Sequence, residues 1–403
     1  MNNFSKSLSF LALTLSLSTQ AGGLWLNEYA DPAMGKAGAG SQAGVNDAST
    51  VVRNPATMGR LDGSQYLLGA MAIYSQAEFE IESAGSLNGD KNPDDAGGLA
   101  PAASFYYTHK IDDKWSWGIS SGALAGSALD YGKDWGGSYQ ATSVELVAVA
   151  IAPAVSYKVN DVLSLGASLQ FVHGQLELKV APPTRDGVPK STSSIDGDDQ
   201  ILAYQLGMAL KLSEKTELGL TYQSEWDFTF EGDINTPTNE VSVESELPLA
   251  QNVRLAINHT LNSDFSIHAT LGWDDWSVLD KVNLSTVDNG ASITTNWEDT
   301  YHYAFGIEYN GIKSWKISSG ISYDTSPVSK TDRNAQLPVD RTMKYAVGLQ
   351  KDYDKDFSYG VQFVYADLGS GDIDSVTGDR IALKGEYTEY NAMFLAFNAL
   401  WRY

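Results

Sequence analysis

Apolar and polar side chains alternate along most of the chain after about residue 65. Phe265, Ile267, Ala269, Leu271 and Trp273 interleave with Ser266, His268, Thr270, Gly272 and Asp274. Tyr301, Tyr303, Phe305, Ile307 and Tyr309 are set against His302, Ala304, Gly306, Glu308 and Asn310. Phe357, Tyr359, Val361, Phe363 and Tyr365 are set against Ser358, Gly360, Gln362 and Val364 in the same way. A period of two places successive side chains on opposite faces of a β-strand. The pattern predicts strands near 65–82, 100–111, 114–128, 142–159, 162–180, 200–212, 216–230, 251–261, 264–276, 300–310, 313–324, 341–352, 356–367 and 387–403. A soluble sandwich alternates too, so alternation alone does not choose an architecture.

The connections do. Tight polar turns fall at Ile111-Asp112-Asp113-Lys114, Val159-Asn160-Asp161, Ser213-Glu214-Lys215, Asn262-Ser263-Asp264, Asn310-Gly311-Ile312 and Tyr353-Asp354-Lys355. Between them lie longer, acidic stretches near 83–99, 129–141, 181–199, 231–250, 277–299, 325–340 and 368–386. Short turns alternating strictly with long loops are the mark of a bacterial outer-membrane barrel. The expected fold is therefore all-β, a 14-stranded antiparallel transmembrane barrel over residues 65–403. An even strand count returns both barrel ends to the periplasmic side. Several strands exceed the roughly 9–11 residues that cross hydrocarbon at a tilt, so the barrel should project outwards. Trp115, Trp117, Trp273, Trp276, Trp315 and Trp401 are candidates for the interfacial aromatic girdles. The final strand, with Phe397, Ala399, Trp401 and Tyr403 at alternate positions, ends as outer-membrane proteins commonly do, which suggests an assembly signal.

Composition narrows the function. A net charge of −23 opposes binding to nucleic acid, whose phosphates would be repelled. With no cysteine, neither a disulfide nor a thiolate metal site can form. Residues 1–21 read as a secretory signal peptide, with Lys6 before an apolar core from Leu8 to Leu17 and small residues around Thr19-Gln20-Ala21. Downstream, no run of 18 or more apolar residues is long enough for a spanning helix. The expected location is the outer membrane of a Gram-negative bacterium.

Residues 22–64 do not alternate. They are rich in Gly, Ala and Asn, and form either a periplasmic tail or a hatch that plugs the lumen. Asn54-Pro55 suits a helix start, Asn as the cap and Pro at the first helical position. The segment carries Leu26-Asn27-Glu28, Gly35-Lys36-Ala37 with Gly38 and Gly40, Asn46-Asp47-Ala48, and Arg53-Asn54-Pro55-Ala56. Leu220-Thr221-Tyr222-Gln223-Ser224-Glu225, Asp324-Thr325-Ser326-Pro327-Val328 and Leu337-Pro338-Val339-Asp340-Arg341 follow. In this order and spacing the chain resembles the long-chain fatty-acid and hydrocarbon outer-membrane transporters (FadL/TodX type).

That resemblance implies a hatch over residues 22–64, passive uptake of fatty acids or aromatic and aliphatic hydrocarbons, and sideways release into the membrane through a kinked third strand. The small, flexible run from Ser120 to Ser127, with Ser121, Gly122, Ala123 and Gly126, is the expected lateral gate; close packing against the hatch would use the same small residues. His173 stands where fatty-acid members would place a basic carboxylate anchor, and Arg254 is a second substrate-binding candidate. The loops near 181–199 and 231–250 are short and acidic where fatty-acid members carry apolar docking helices. This tilts the expectation towards neutral hydrocarbons. The expected surroundings are outer-membrane lipid and lipopolysaccharide, and the expected state is monomeric.

No enzyme chemistry, metal or cofactor is expected. The five histidines are scattered, with no His-x-x-x-His pair. The acidic runs at 196–199 and 371–374 read as solvated loops rather than calcium sites. Two alternatives stay open: a general porin for polar solutes, motivated by the acidic charge, and an outer-membrane lipid hydrolase in which His268 or His302 meets a serine or carboxylate.

Overall fold

The computed structural model describes residues 24–85, 89–181, 191–235, 240–286, 290–377 and 381–403. The expected signal peptide lies outside them. The wall begins with β1 (Ser64–Ser83), β2 (Leu99–Lys110), β3 (Trp115–Asp130), β4 (Ser143–Lys158), β5 (Leu163–Val180) and β6 (Ser193–Ser213). It continues through β7 (Thr216–Gln223), β8 (Trp226–Asn235), β9 (Glu240–Leu249), β10 (Asn252–Thr260), β11 (Phe265–Asp274), β12 (Lys281–Thr286) and β13 (Gly290–Thr294). It ends with β14 (Thr300–Ile312), β15 (Trp315–Asp324), β16 (Thr342–Asp352), β17 (Phe357–Asp367), β18 (Ile373–Thr377) and β19 (Ile381–Arg402). Because β7/β8, β9/β10, β11/β12, β13/β14 and β17/β18 are interrupted passes, the described strands make a closed antiparallel barrel of fourteen passes. Closure runs along β1 and β19, from Gln65 opposite Arg402 to Ser83 opposite Lys384. No wall edge is left there, as hydrocarbon requires.

The turns repeat one geometry. Asp112, Asn160, Asn262 and Asp354 each accept, on Oδ1, the backbone N–H groups two and three residues on, at 2.8–3.0 Å. This is the local bond for which Asx residues are favoured in turns. At the exposed turn of Asp112, these N–H groups hold the carboxyl below its usual range.

Burial is inverted relative to a water-soluble protein. Leu271, Phe305, Val347 and Phe397 are each more than half exposed or nearly so, facing outwards, while His268, Thr270, Ala304 and Ala346 face inwards and are buried. Outward aromatics pair near the turn rim, with Tyr66 against Tyr107 at 4.6 Å and Trp115 against Tyr157 at 4.6 Å. Trp276 departs from the girdle expectation. It is fully buried and packs on Trp25 and Trp297, because it sits in a 3-10 turn (Trp276–Asp280) that bends in from β11.

The long connections also differ from expectation. Stretches 181–199, 231–250, 277–299 and 368–386 contain all of β9, β12, β13 and β18, half of β8 and the ends of β6 and β19, rather than open loop. Beyond the lipid the outward face of a strand meets water, so nothing selects apolar residues there. In the run Glu240-Val241-Ser242-Val243-Glu244, which still pairs with β8, Val243 is buried while Glu240, Ser242 and Glu244 are exposed. The connections 131–142 and 325–341 fold over the far rim. Arg333 gathers the second by donating to the Val339, Val328 and Asp372 carbonyls at 2.6–3.1 Å.

Leu271→Arg, at an outward position near mid-height, should lower stability in phospholipid vesicles by about 2–4 kcal/mol. Urea unfolding of the refolded barrel measures this, and the same change at the rim residue Phe265 should cost much less.

Candidate functional site

The residues from Leu24 to β1 lie inside the barrel, most of them buried. Short 3-10 turns at Pro32–Lys36, Ser41–Ala43 and Pro55–Arg60 and one α-helical turn at Thr50–Arg53 keep the segment compact. Asn54 caps the third turn, its Oδ1 accepting Ala56 N–H at 3.0 Å, while its Nδ2 donates to the Gln42 and Met208 carbonyls. Asn-Pro-Ala can touch the wall because Gly166 and Gly207 stand opposite. A Cβ on either would come within 2.3 Å of Ala56 N or Asn54 Oδ1.

Inward charges step from strand to strand. Arg254 on β10 donates to Asp274 on β11 at 2.7 Å, and His302 on β14 pairs with Asp324 on β15 at 2.7 Å. Lys344 on β16 donates to Glu28 of the N-terminal segment at 2.7 Å. Arg53 meets both Asp31 oxygens at 2.8 and 2.9 Å and lies 4.2 Å over the Tyr29 ring. All eight ionisable residues of these four pairs are buried. A buried pair contributes little net stability, but removing one partner is costly because the other charge is left bare.

The wall is interrupted beside β3. The β2–β3 ladder runs from Lys110 opposite Ser116 up to Ser104 opposite Gly122, and no higher pair is formed among the described residues. A bulge at Leu124 shifts the β3–β4 register, and from Leu124 to Leu129 every β3 residue is buried. The strand therefore turns inwards. Its freed edge is paired from within the lumen: Leu26 N donates to Leu124 O at 3.0 Å and Gly126 N to Leu24 O at 3.1 Å. Contact resumes above, where Asp130 N donates to Ala96 O at 3.0 Å.

An apolar cavity lies behind this interruption, lined by Leu26, Met71, Ala102, Ala123, Leu124 and Ala150 among others. A dent on the lipid face, lined by Leu68, Gly69, Ala70, Phe105 and Phe397, lies in front of it. Ala103, Ser104 and Ser121 line both. Tyr29 O accepts from Ser104 Oγ at 2.8 Å and Tyr106 Oη at 2.6 Å, which fixes the N-terminal segment against β2.

The residues singled out by sequence fall in different places. Ser121, Gly122 and Ala123 border the interruption, whereas Gly126 sits behind it, bonded to the N-terminal segment. Leu26 and Glu28 line the apolar cavity, and Asn27 and Arg53 line a polar one beside it. Pro55 and Ala56 pack on β5. Arg254 faces the lumen, but Asp274 already occupies it. His173 must be corrected. It shares the exposed face of β5 with Leu169 and Phe171, so strand parity directs it out of the barrel, away from any lumenal ligand. Gln170 and Gln205 carry no sequence motif, and Gln223 enters only as part of a family marker; polar residues on the face opposite an apolar stripe are the signal that finds all three. Of the two alternative histidines, His268 pairs with the Asn258 amide, whereas His302 does meet a carboxylate, that of Asp324 at 2.7 Å.

Residues 12–403 match the family model described as outer membrane protein transport protein (OMPP1/FadL/TodX). The chain is 25% identical over 410 residues to the long-chain fatty acid transport protein of Escherichia coli O6:H1, covering 90% of this chain and 91% of that one. Its fold is similar to that of a Pseudomonas aeruginosa FadL homologue, with a TM-score of 0.85 at 18% identity, covering 96% and 99% of the two chains. It is also similar to that of the P. putida toluene transporter TodX, with a TM-score of 0.68 at 14% identity over 89% and 95%.

Lys344→Met should loosen the N-terminal segment by about 3–5 kcal/mol, because Glu28 is left as an unpaired buried charge. Single-barrel conductance in planar bilayers should rise. Adding Glu28→Gln to the same chain should bring it back towards wild type.

Proposed function

Since the chain belongs to the outer membrane protein transport protein family (OMPP1/FadL/TodX), we propose that it takes up hydrophobic compounds, long-chain fatty acids or aromatic and aliphatic hydrocarbons, and releases them sideways into the outer membrane beside β3. The observation that carries the route is the end of the β2–β3 ladder at Ser104 and Gly122, with an apolar cavity inside, a dent outside and three residues common to both. A solute taking this path passes from an apolar lining to lipid without entering water, whereas a water-filled exit would carry the full cost of hydrating its surface.

The N-terminal segment acts as the hatch. Its buried position and its pairing to the β3 edge support that role, and the Glu28–Lys344 pair holds it against the wall. With the lumen filled in this way, bulk polar solutes are not the cargo. The outward apolar band meets membrane lipid, the projecting strands stand among lipopolysaccharide, and the barrel works as a single copy, its closed sheet leaving no edge for strand-to-strand pairing with a second.

Gly122 is the position at which to test the exit. A Cβ there meets nothing closer than Ser104 Cβ at 3.5 Å, so a side chain can be added without moving the backbone. Gly122→Phe should fill the passage and lower uptake of labelled oleate and toluene at least fivefold in cells relying on this protein. Assembly, read from the heat-modifiable gel shift, should stay normal. Wild-type uptake by the variant would remove β3 from the route, and equal uptake with and without the protein would remove transport altogether.

A further inference from the structure

Two cavities meet behind the wall interruption. Beside the apolar one lies a second, bounded by β5, β6, β7, β10 and the N-terminal segment, with Gln170, Gln205, Thr221, Gln223, Asn252 and Arg254 in its lining. Tyr29, Val52 and Leu124 line both, so the two cavities adjoin.

The polar cavity contains a buried acceptor that meets no donor among the described residues. Gln205 is 8% exposed; its Nε2 donates to Val52 O at 3.1 Å, while its Oε1 has no partner among those residues. Turning the amide over would set oxygen against oxygen at Val52, so the orientation follows from the bond. Gln170 and Gln223 satisfy each other at 2.8 and 2.7 Å, and Trp226 Nε1 donates to Gln170 Oε1 at 3.1 Å. The two cations of this lining, Arg53 and Arg254, are already held by Asp31 and Asp274.

We infer that the paired cavities select an uncharged amphiphile whose head carries a hydrogen-bond donor, such as a long-chain alcohol, with the head on Gln205 Oε1 and the chain in the apolar cavity by β3. This rests on the uptake route proposed above and names its substrate class. A carboxylate brings only acceptors, faces a carbonyl oxygen in Gln205, and must compete with Asp31 or Asp274 for a cation. A plain hydrocarbon leaves the buried acceptor unmet. A site with a buried polar group discriminates strongly against the analogue that lacks its complement.

Native mass spectrometry of the detergent-solubilised full chain can compare 1-tetradecanol, tetradecyl methyl ether and tetradecanoate in equimolar mixtures. Tetradecanol should be preferred about tenfold over each of the others. Gln205→Leu should reduce tetradecanol to the level of the ether and leave the ether unchanged. Because the comparison among ligands uses the wild-type chain, it stands even if that variant fails to assemble. Ether or tetradecanoate bound as well as tetradecanol would overturn the head-group assignment and leave the uptake route standing. Failure of all three to bind would overturn both.

Discussion

In hydrocarbon, a backbone N–H or C=O without a partner costs several kcal/mol, and this constraint shapes the whole molecule. Closure of β1 on β19 meets it around the wall. The end of the β2–β3 ladder, above Ser104 and Gly122, would violate it if β3 continued straight with a bare edge. Instead β3 bulges at Leu124, turns into the lumen and is paired there by Leu24 and Leu26. The opening and the segment that fills the barrel are thus parts of one arrangement. A wall can be broken sideways only if another piece of chain satisfies the groups the break exposes.

Side chains follow from the same constraint. Outward positions meet lipid and are apolar; inward positions meet the N-terminal segment and carry hydrogen bonds and charge. The steps from Arg254 to Asp274, His302 to Asp324 and Lys344 to Glu28 cross the inner wall in matched pairs. Such pairs add little to stability, but the Lys344–Glu28 pair penalises any other seating of the segment, because a shift would strip the partner from a buried charge. Glycines complete the fit where Asn54 and Ala56 touch β5 and β6.

Much of this was legible along the chain. The two-residue period in Tyr301–Tyr309 or Phe357–Tyr365, with Asx residues at four of the turns, was enough for strands, their connections and their number, since both signals are local. Ser121, Gly122 and Ala123 could be marked as weak points because small residues in a strand invite a bulge. Above the lipid the outward face meets water and carries charge, so the end of β8 and all of β9 read as acidic loop although Val243, Leu247 and Leu249 face inwards and are buried. Trp276 read as a girdle residue because composition cannot tell a strand end from a 3-10 turn bending inwards.

His173 and Gln205 show where local information ends. Each lies on a regular strand, and a shift of one residue in parity exchanges lumen for lipid. The sequence by itself determined the class, a barrel of fourteen passes with a non-alternating stretch ahead of it, because period and turn chemistry are written in neighbouring residues. Only the tertiary structure decided which inward groups meet: that Arg254 is already paired, that His173 faces out, and that Gln205 keeps an unmet oxygen. Those facts depend on strands far apart in the chain being brought side by side by closure.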